Sequence, residues 1–320
     1  MFSFQAASTS STWQAFEMDH LYELAVREAM FSHLDRLLAS SSDGTLRHDE
    51  TAAFEFSGER IVMRQTQGRG IHKPSNLSVA LSITTAYRTS DATRPYLDTM
   101  GEDGYQRYMY EGSDPALYTN RALRDAMQLR LPLAYFIGVA KGVYKPIYPI
   151  YIIGDNPGSL EFTLGFSAAE VGINLADLSA PDRVYAARTT KQRLHQPVFR
   201  GQVLAAYATS CAVCRLKHAE LLDAAHIISD AEPDGLPVVP NGIAMCKIHH
   251  AAYDRNFLGI SPDRVIKINE DLLNEVDGPM LKYGLQAMHD QKLIVPSARR
   301  LQPDRERLER RFDEFLAAAS

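Results

Sequence analysis

Cysteine is scarce in this chain: three residues among 320, and an odd number. A disulfide framework needs pairs at high density, so that scaffold is excluded and a reducing compartment is expected. Long apolar runs are also missing, and without one of about 20 residues no membrane-spanning helix is expected. Met1 to Thr12 contain no basic segment leading into an apolar stretch, so no secretory signal is expected. Nor is there an excess of positive charge. The net charge is −5, which by itself does not point to nucleic acid. What is present is ordinary for soluble globular protein: 45% hydrophobic and 23% charged residues, at a length that suits two domains.

The charge is unevenly placed. Residues 1–56 hold nine acidic and three basic side chains, whereas Arg183 to Lys217 hold seven basic ones and no Asp or Glu. A basic run alone is most simply a solvated surface. This one leads into the motifs below, which favours phosphate contact, with Lys191, Arg193 and Arg200 as candidates.

Residues 13–40 read as a helix, with Leu21, Leu24, Ala25, Phe31, Leu34, Leu37 and Leu38 largely on one face. From Ala52 to Phe166 the pattern changes to short strands and Gly/Pro turns, including 54–56, 60–64, 78–85, 107–111, 133–139 and 147–153. One helix interrupts at 117–128. Many strands with few helices predict a curved sheet or small barrel. Residues 171–195 read as a linker with local helix. The tail from Asp304 reads as a helix that packs Leu308, Phe312, Phe315 and Leu316 on the body.

All three cysteines fall into one pattern, Cys211-x-x-Cys214 followed by Cys246-x-x-His249. Two knuckles with two-residue spacers present four ligands able to close a tetrahedral site. Thiolate and imidazole donors suit structural Zn²⁺. His250 is adjacent to the fourth ligand and rivals it. Between the knuckles lies Leu221-Leu-Asp-Ala-Ala-His226, and around the second runs Asn241-Gly-Ile-Ala-Met-Cys246-Lys-Ile-His249-His250-Ala-Ala-Tyr-Asp254.

That His–Asn–His order, wrapped by zinc ligands, resembles the HNH (ββα-metal) nuclease family. The resemblance implies His226 as general base, His250 as a ligand of a catalytic Mg²⁺ or Mn²⁺, and Asn241 as the residue that orients the His226 strand. The chemistry agrees with the residue types. A neutral imidazole near its free pKa takes a proton from water at neutral pH, and a bound divalent ion relieves charge on the phosphate. Many family members carry Asp or His directly before the catalytic His, where this chain has Ala225. Asp223 and Asp254 are the two candidates for the missing acidic ligand.

A second set of phrases lies upstream: Gly70-Ile-His-Lys-Pro74, Ala80 to Thr85, Gly104 to Gly112, and Asn120-Arg-Ala-Leu123. Their order resembles the SRA (YDG) domain, a reader of 5-methylcytosine, over about residues 58–155. With the nuclease motifs, the chain resembles modification-dependent (type IV) SRA–HNH restriction endonucleases. That resemblance implies a base flipped into a pocket, with Tyr110 stacking on it, Tyr96 or its rival Tyr87 as second aromatic, and Asp98 reading the cytosine edge. Arg69, His72 and Lys73 are expected at phosphates. The expected location is the bacterial cytoplasm, and the expected partner is double-stranded DNA carrying modified cytosine. A homodimer or two successive nicks would give a double-strand break.

The expected fold is α+β: an N-terminal SRA/PUA-like curved sheet or barrel with flanking helices (1–170), a linker (171–195), and a C-terminal zinc-stapled ββα-metal nuclease domain with a terminal helix (196–320). The expected function is a modification-dependent DNA endonuclease acting on 5-methylcytosine or 5-hydroxymethylcytosine. Two other readings stand beside it: a non-catalytic reader with a zinc-scaffold HNH fold, and an HNH nuclease indifferent to modification.

Overall fold

The computed structural model describes residues 9–65, 70–87, 100–232 and 234–318, with side chains from residue 18 onward. Arg69, Tyr96 and Asp98 lie outside these residues. Among the described residues no helix is long and apolar enough to cross a membrane.

The chain opens with α1 (Thr9–Ala39), whose Val26, Met30 and Leu34 are fully buried at i, i+4, i+8 spacing. Each such side chain contributes about 1.5–3 kcal/mol by leaving water. The buried face is rotated from the expected one, and Leu21 is 60% exposed. The rotation is set by a buried ion pair between Arg27 and Glu23. Arg27 donates to Pro132 O (2.8 Å) and Ala80 O (2.6 Å), while Glu23 accepts from the backbone N and hydroxyl of Ser78. With its donors and acceptors satisfied, the pair is tolerable in the interior and fixes how the helix docks.

The strands that follow are β1 (Leu46–Arg47), β2 (Ala53–Phe56), β3 (Glu59–Val62), β4 (Ile71–His72), β5 (Ser82–Thr85) and β6 (Gln106–Met109). Next come α2 (Tyr118–Gln128), β7 (Leu133–Ala140), β8 (Val143–Asn156) and β9 (Glu161–Gly165). β2 and β3 form a separate hairpin. Its two turn residues, Ser57 and Gly58, both have positive φ (52° and 80°), the twist that a two-residue hairpin loop needs. The other seven strands form one sheet in the order β4-β5-β7-β8-β9-β6, with β1 also on β8. Only β5 and β7 are parallel. The 14-residue β8 pairs with β7 at one end and β9 at the other, with register shifts on both sides. Such bulges bend a strand, and the sheet curls into a half-barrel around Tyr135, Leu133 and Phe162, closed by α2.

Asn120 explains part of the Asn-x-Ala-Leu phrase. Fully buried at the start of α2, its amide donates to Glu111 O and Asp114 O and its oxygen accepts from Glu111 N. It therefore pins the turn that follows β6.

The segment expected as a linker is mostly ordered helix. α3 (Ala180–Thr190) starts at a capping box of Ser179 and Asp182, passes through a π turn at Lys191–His195, and continues as α4 (Gln196–Ala206). Leu194 and Val198 pack in the half-barrel core, whereas Phe199, Val203 and Leu204 pack in the C-terminal core. One helix therefore belongs to both cores.

The C-terminal part comprises β10 (Leu222–His226), β11 (Gly242–Cys246), α5 (Lys247–Asp254), β12 (Leu258–Ile260), β13 (Ile266–Ile268), α6 (Glu270–Asn274), α7 (Pro279–Gly284) and α8 (Arg305–Ala318). β10 and β11 are antiparallel, with His226 opposite Gly242 and Leu222 opposite Cys246, and α5 packs on them to complete a ββα unit. α8 buries Leu308 and Phe315 but leaves Leu316 half exposed, so the expected stripe packs only in part.

Candidate active site

The two cysteine knuckles meet. Cys211, Cys214, Cys246 and His249 place one ligand atom each within 4.8 Å of one another. The separations are 4.0 Å for Cys214 Sγ to Cys246 Sγ, 3.6 Å for Cys211 Sγ to His249 Nδ1, and 3.1 Å for Cys246 Sγ to His249 Nδ1. A tetrahedron built on Zn–S bonds of about 2.3 Å has edges of about 3.6–3.8 Å, so the donor set fits a zinc-sized ion. His249 Nε2 donates to Gly284 O at 2.7 Å. That bond leaves Nδ1 as the lone pair facing the thiolates, the usual outer support of a metal-bound imidazole. No sequence signal marked Gly284, because it joins the cluster only through folding.

Asn241 is fully buried at the entry to β11. Its side-chain oxygen accepts from Ile228 N (2.9 Å), its amide donates to Ile228 O and Leu236 O (both 3.0 Å), and its backbone oxygen accepts from Ile227 N. It therefore ties down the backbone immediately after His226. Gly242 also has a physical reason. A Cβ there would come within 2.4 Å of Val203 and 2.8 Å of the Phe199 ring. Its absence lets α4 approach, and Phe199 stacks on the His226 imidazole with centroids 4.1 Å apart.

His226, Asp223, His250 and Asp254 line one cavity of about 780 Å³. The His226 Nε2 atom is buried and has no hydrogen-bond partner among the described residues. Burial lowers the pKa of this imidazole, with a partial opposing pull from Asp230, so the neutral form is favoured at neutral pH. An unpaired ring nitrogen of a neutral imidazole at a cavity wall suits capture of a water or phosphate oxygen.

His250 sits between two carboxylates. Its Nδ1 is 3.8 Å from Asp223, and its Nε2 is 3.4 Å from Asp254 one helical turn on. The candidates for the acidic ligand thus lie on opposite ring nitrogens. An imidazole gives one nitrogen to one ion, so the carboxylate on that side is the co-ligand and the other accepts the remaining N–H. The donor types fit a hard divalent ion, although the four side chains are not drawn together as the zinc ligands are.

Four expectations are corrected. His72 is buried, not at a phosphate: its Nε2 lies 3.0 Å from Val62 O and its Nδ1 3.1 Å from Gln65, and burial lowers its pKa. Arg200 directs its guanidinium at protein carbonyls, those of Asp43, Ala219 and Leu222, and lies 3.7 Å from Asp223. Lys191 pairs with Asp230 at 3.1 Å. Tyr110 is 7% exposed, packs against Phe162 at 4.5 Å, and its hydroxyl bonds Asp155 and Arg124, so its ring has no free face for a base. Arg193 is exposed and donates to Phe166 O. Lys73 and Tyr87 are partly exposed and remain accessible.

With this geometry, residues 211–261 match the family model for HNH endonuclease. The match spans both knuckles and the whole His–Asn–His series. The module is an HNH endonuclease domain, and the chain is thereby a metal-dependent DNA endonuclease. No curated protein matches the chain. Among solved structures, the chain is similar to the modification-dependent TagI restriction endonuclease, with 15% identity over 74% of this chain and 81% of that one, at a TM-score of 0.26. It is also similar to the type IV phosphorothioation-dependent restriction endonuclease ScoMcrA, with 14% identity over 57% of this chain and 50% of that one, at a TM-score of 0.22. Likenesses of this size establish no shared substrate.

Proposed function

We propose that the chain is a modification-dependent restriction endonuclease whose half-barrel (1–170) reads 5-methylcytosine or 5-hydroxymethylcytosine in duplex DNA and whose HNH domain (196–320) hydrolyses a nearby phosphodiester bond. The observation that carries the hydrolytic half is His226, neutral and stacked on Phe199, with an unpaired nitrogen beside Asp223, His250 and Asp254.

In this reading Asn241 holds the strand end and Phe199 holds the ring, so His226 meets water in one orientation and removes its proton. His250 with Asp223 or Asp254 would hold the divalent ion, which supplies Lewis-acid stabilisation at the phosphate and the departing oxygen. Cys211, Cys214, Cys246 and His249 would hold Zn²⁺ as a staple with no part in the chemistry.

The reading half rests on the ordered phrases from Gly70 to Leu123 and on the curled sheet that they build. With Tyr110 committed to the core, stacking falls to Tyr87 or Tyr96, with Asp98 as the base-edge acceptor. Flipping costs a few kcal/mol, which stacking in a pocket offsets.

The test is digestion of matched plasmids, unmodified or carrying either modified base, with Mg²⁺ or Mn²⁺. Cutting confined to modified DNA is expected, and His226→Ala should cut about 10²–10⁴-fold more slowly. Equal cutting of every plasmid removes the modification dependence. Undiminished cutting by the variant removes the catalytic assignment and favours the scaffold reading.

A further inference from the structure

Lys145 belongs to β8 of the half-barrel, yet it lines the same cavity as Asp223, His226 and His250. It is partly buried, and among the described residues its ammonium makes no hydrogen bond, with Asp43 the one carboxylate that acts on its charge. The nearest carboxylate, on Asp43, is engaged by Ser41 and Thr45. The closest charge of its own sign is Arg200, whose guanidinium is anchored on three backbone carbonyls.

The ammonium lies against Gly44, where a Cβ would come 2.4 Å from Lys145 Nζ and whose φ of +68° is a left-handed backbone that glycine favours. Burial, then repulsion from Arg200, depresses the Lys145 pKa, against an opposing pull from Asp43.

We propose that Lys145 is a phosphate-binding residue of the hydrolytic site, supplied by the half-barrel across to the nuclease module, where it grips a phosphate of the strand being cut. The proposal rests on the nuclease reading above. It makes the cavity composite: the module has its full phosphate grip only while docked on β8. Base reading and hydrolysis then share one rigid strand, because β8 also pairs with β7 and β9 of the curled sheet.

The test compares full-length wild type, Lys145→Gln and Lys145→Arg on modified duplex DNA. Removal of one phosphate contact should lower the slope of log Kobs against log salt by about 1, uniformly across sequences. Cleavage by Lys145→Gln at subsaturating DNA should fall about tenfold or more, the size expected for a charge-assisted contact. Lys145→Arg should restore the slope and most of the cleavage, and thermal midpoints should stay alike. An unchanged slope and rate in Lys145→Gln would overturn the proposal, as would a lowered midpoint with the slope intact. If wild type cuts no DNA, the nuclease reading fails, while the slope still reports on Lys145.

Discussion

His249 and His250 are consecutive on α5 and face two unlike sites. His249 is 2% exposed and closes a set of four donors already within 4.8 Å, whereas His250 is partly open to a cavity of about 780 Å³. A helix turns about 100° per residue, so neighbours necessarily point apart. The Cys211, Cys214, Cys246 and His249 cluster is preassembled, with Gly284 fixing the imidazole. The hydrolytic cluster is loosely spaced, half-solvated, and leaves a nitrogen of His226 unpaired. A structural metal site fills every coordination position with protein donors, while a reacting centre must keep positions for substrate and water. A single ββα unit supplies both because its strands and helix each have two faces.

That contrast is tested hardest by removing the zinc ligand set. Cys211→Ser, or strong chelation, should unfold the C-terminal core while the half-barrel stays folded, leaving only the half-barrel's smaller transition in calorimetry. Structural zinc supplies about 10–16 kcal/mol in small modules. A metal-free protein with one unchanged transition would show that the closed cluster is no staple.

The open cluster should respond more mildly and asymmetrically. Asp223→Asn is expected to raise the metal concentration for half-maximal cleavage by about 100-fold, because Asp223 lies on β10 with His226. Asp254→Asn should raise it about tenfold by loosening the His250 ring. The reverse order would place the ion on the Nε2 side of His250.

The smallest effect concerns the helix between the two regions. His195 is 7% exposed, lies 3.4 Å from Gln106, and burial pushes its pKa down to about 4. Its folded pKa is below the unfolded value, so its neutral burial is fully tolerated above pH 6.5 and stability is lost as pH falls toward 4. The loss should reach about 1 kcal/mol by pH 5.5. Urea titrations should show it in wild type and not in His195→Gln, and parallel pH curves would refute it.

The nuclease module was legible because its chemistry is local. Cysteine spacing, the His226–Asn241–His250 order and the Asn-Gly phrase each act within one ββα unit, where strand register and one helix fix the geometry. The half-barrel was legible as a class, through alternating strands and turn residues, but not as a site. Tyr110 and His72 carry the residue types of a DNA-contacting surface and are held in the interior by Asp155, Arg124, Val62 and Gln65. The buried Arg27–Glu23 pair turned the first helix away from its plainest apolar face for a similar reason: its partners lie far along the chain.

By itself the sequence pointed to a Cys/His metal cluster and to an HNH module, because both are written in short spacings. Only the tertiary structure decided which nitrogen of His250 each carboxylate faces, that Phe199 braces His226, and that Lys145 reaches the nuclease cavity from a strand of the other region. The Phe199 and Lys145 relations depend on α4 packing into two cores at once, and no local pattern of residues encodes a contact between surfaces that meet only after both have folded.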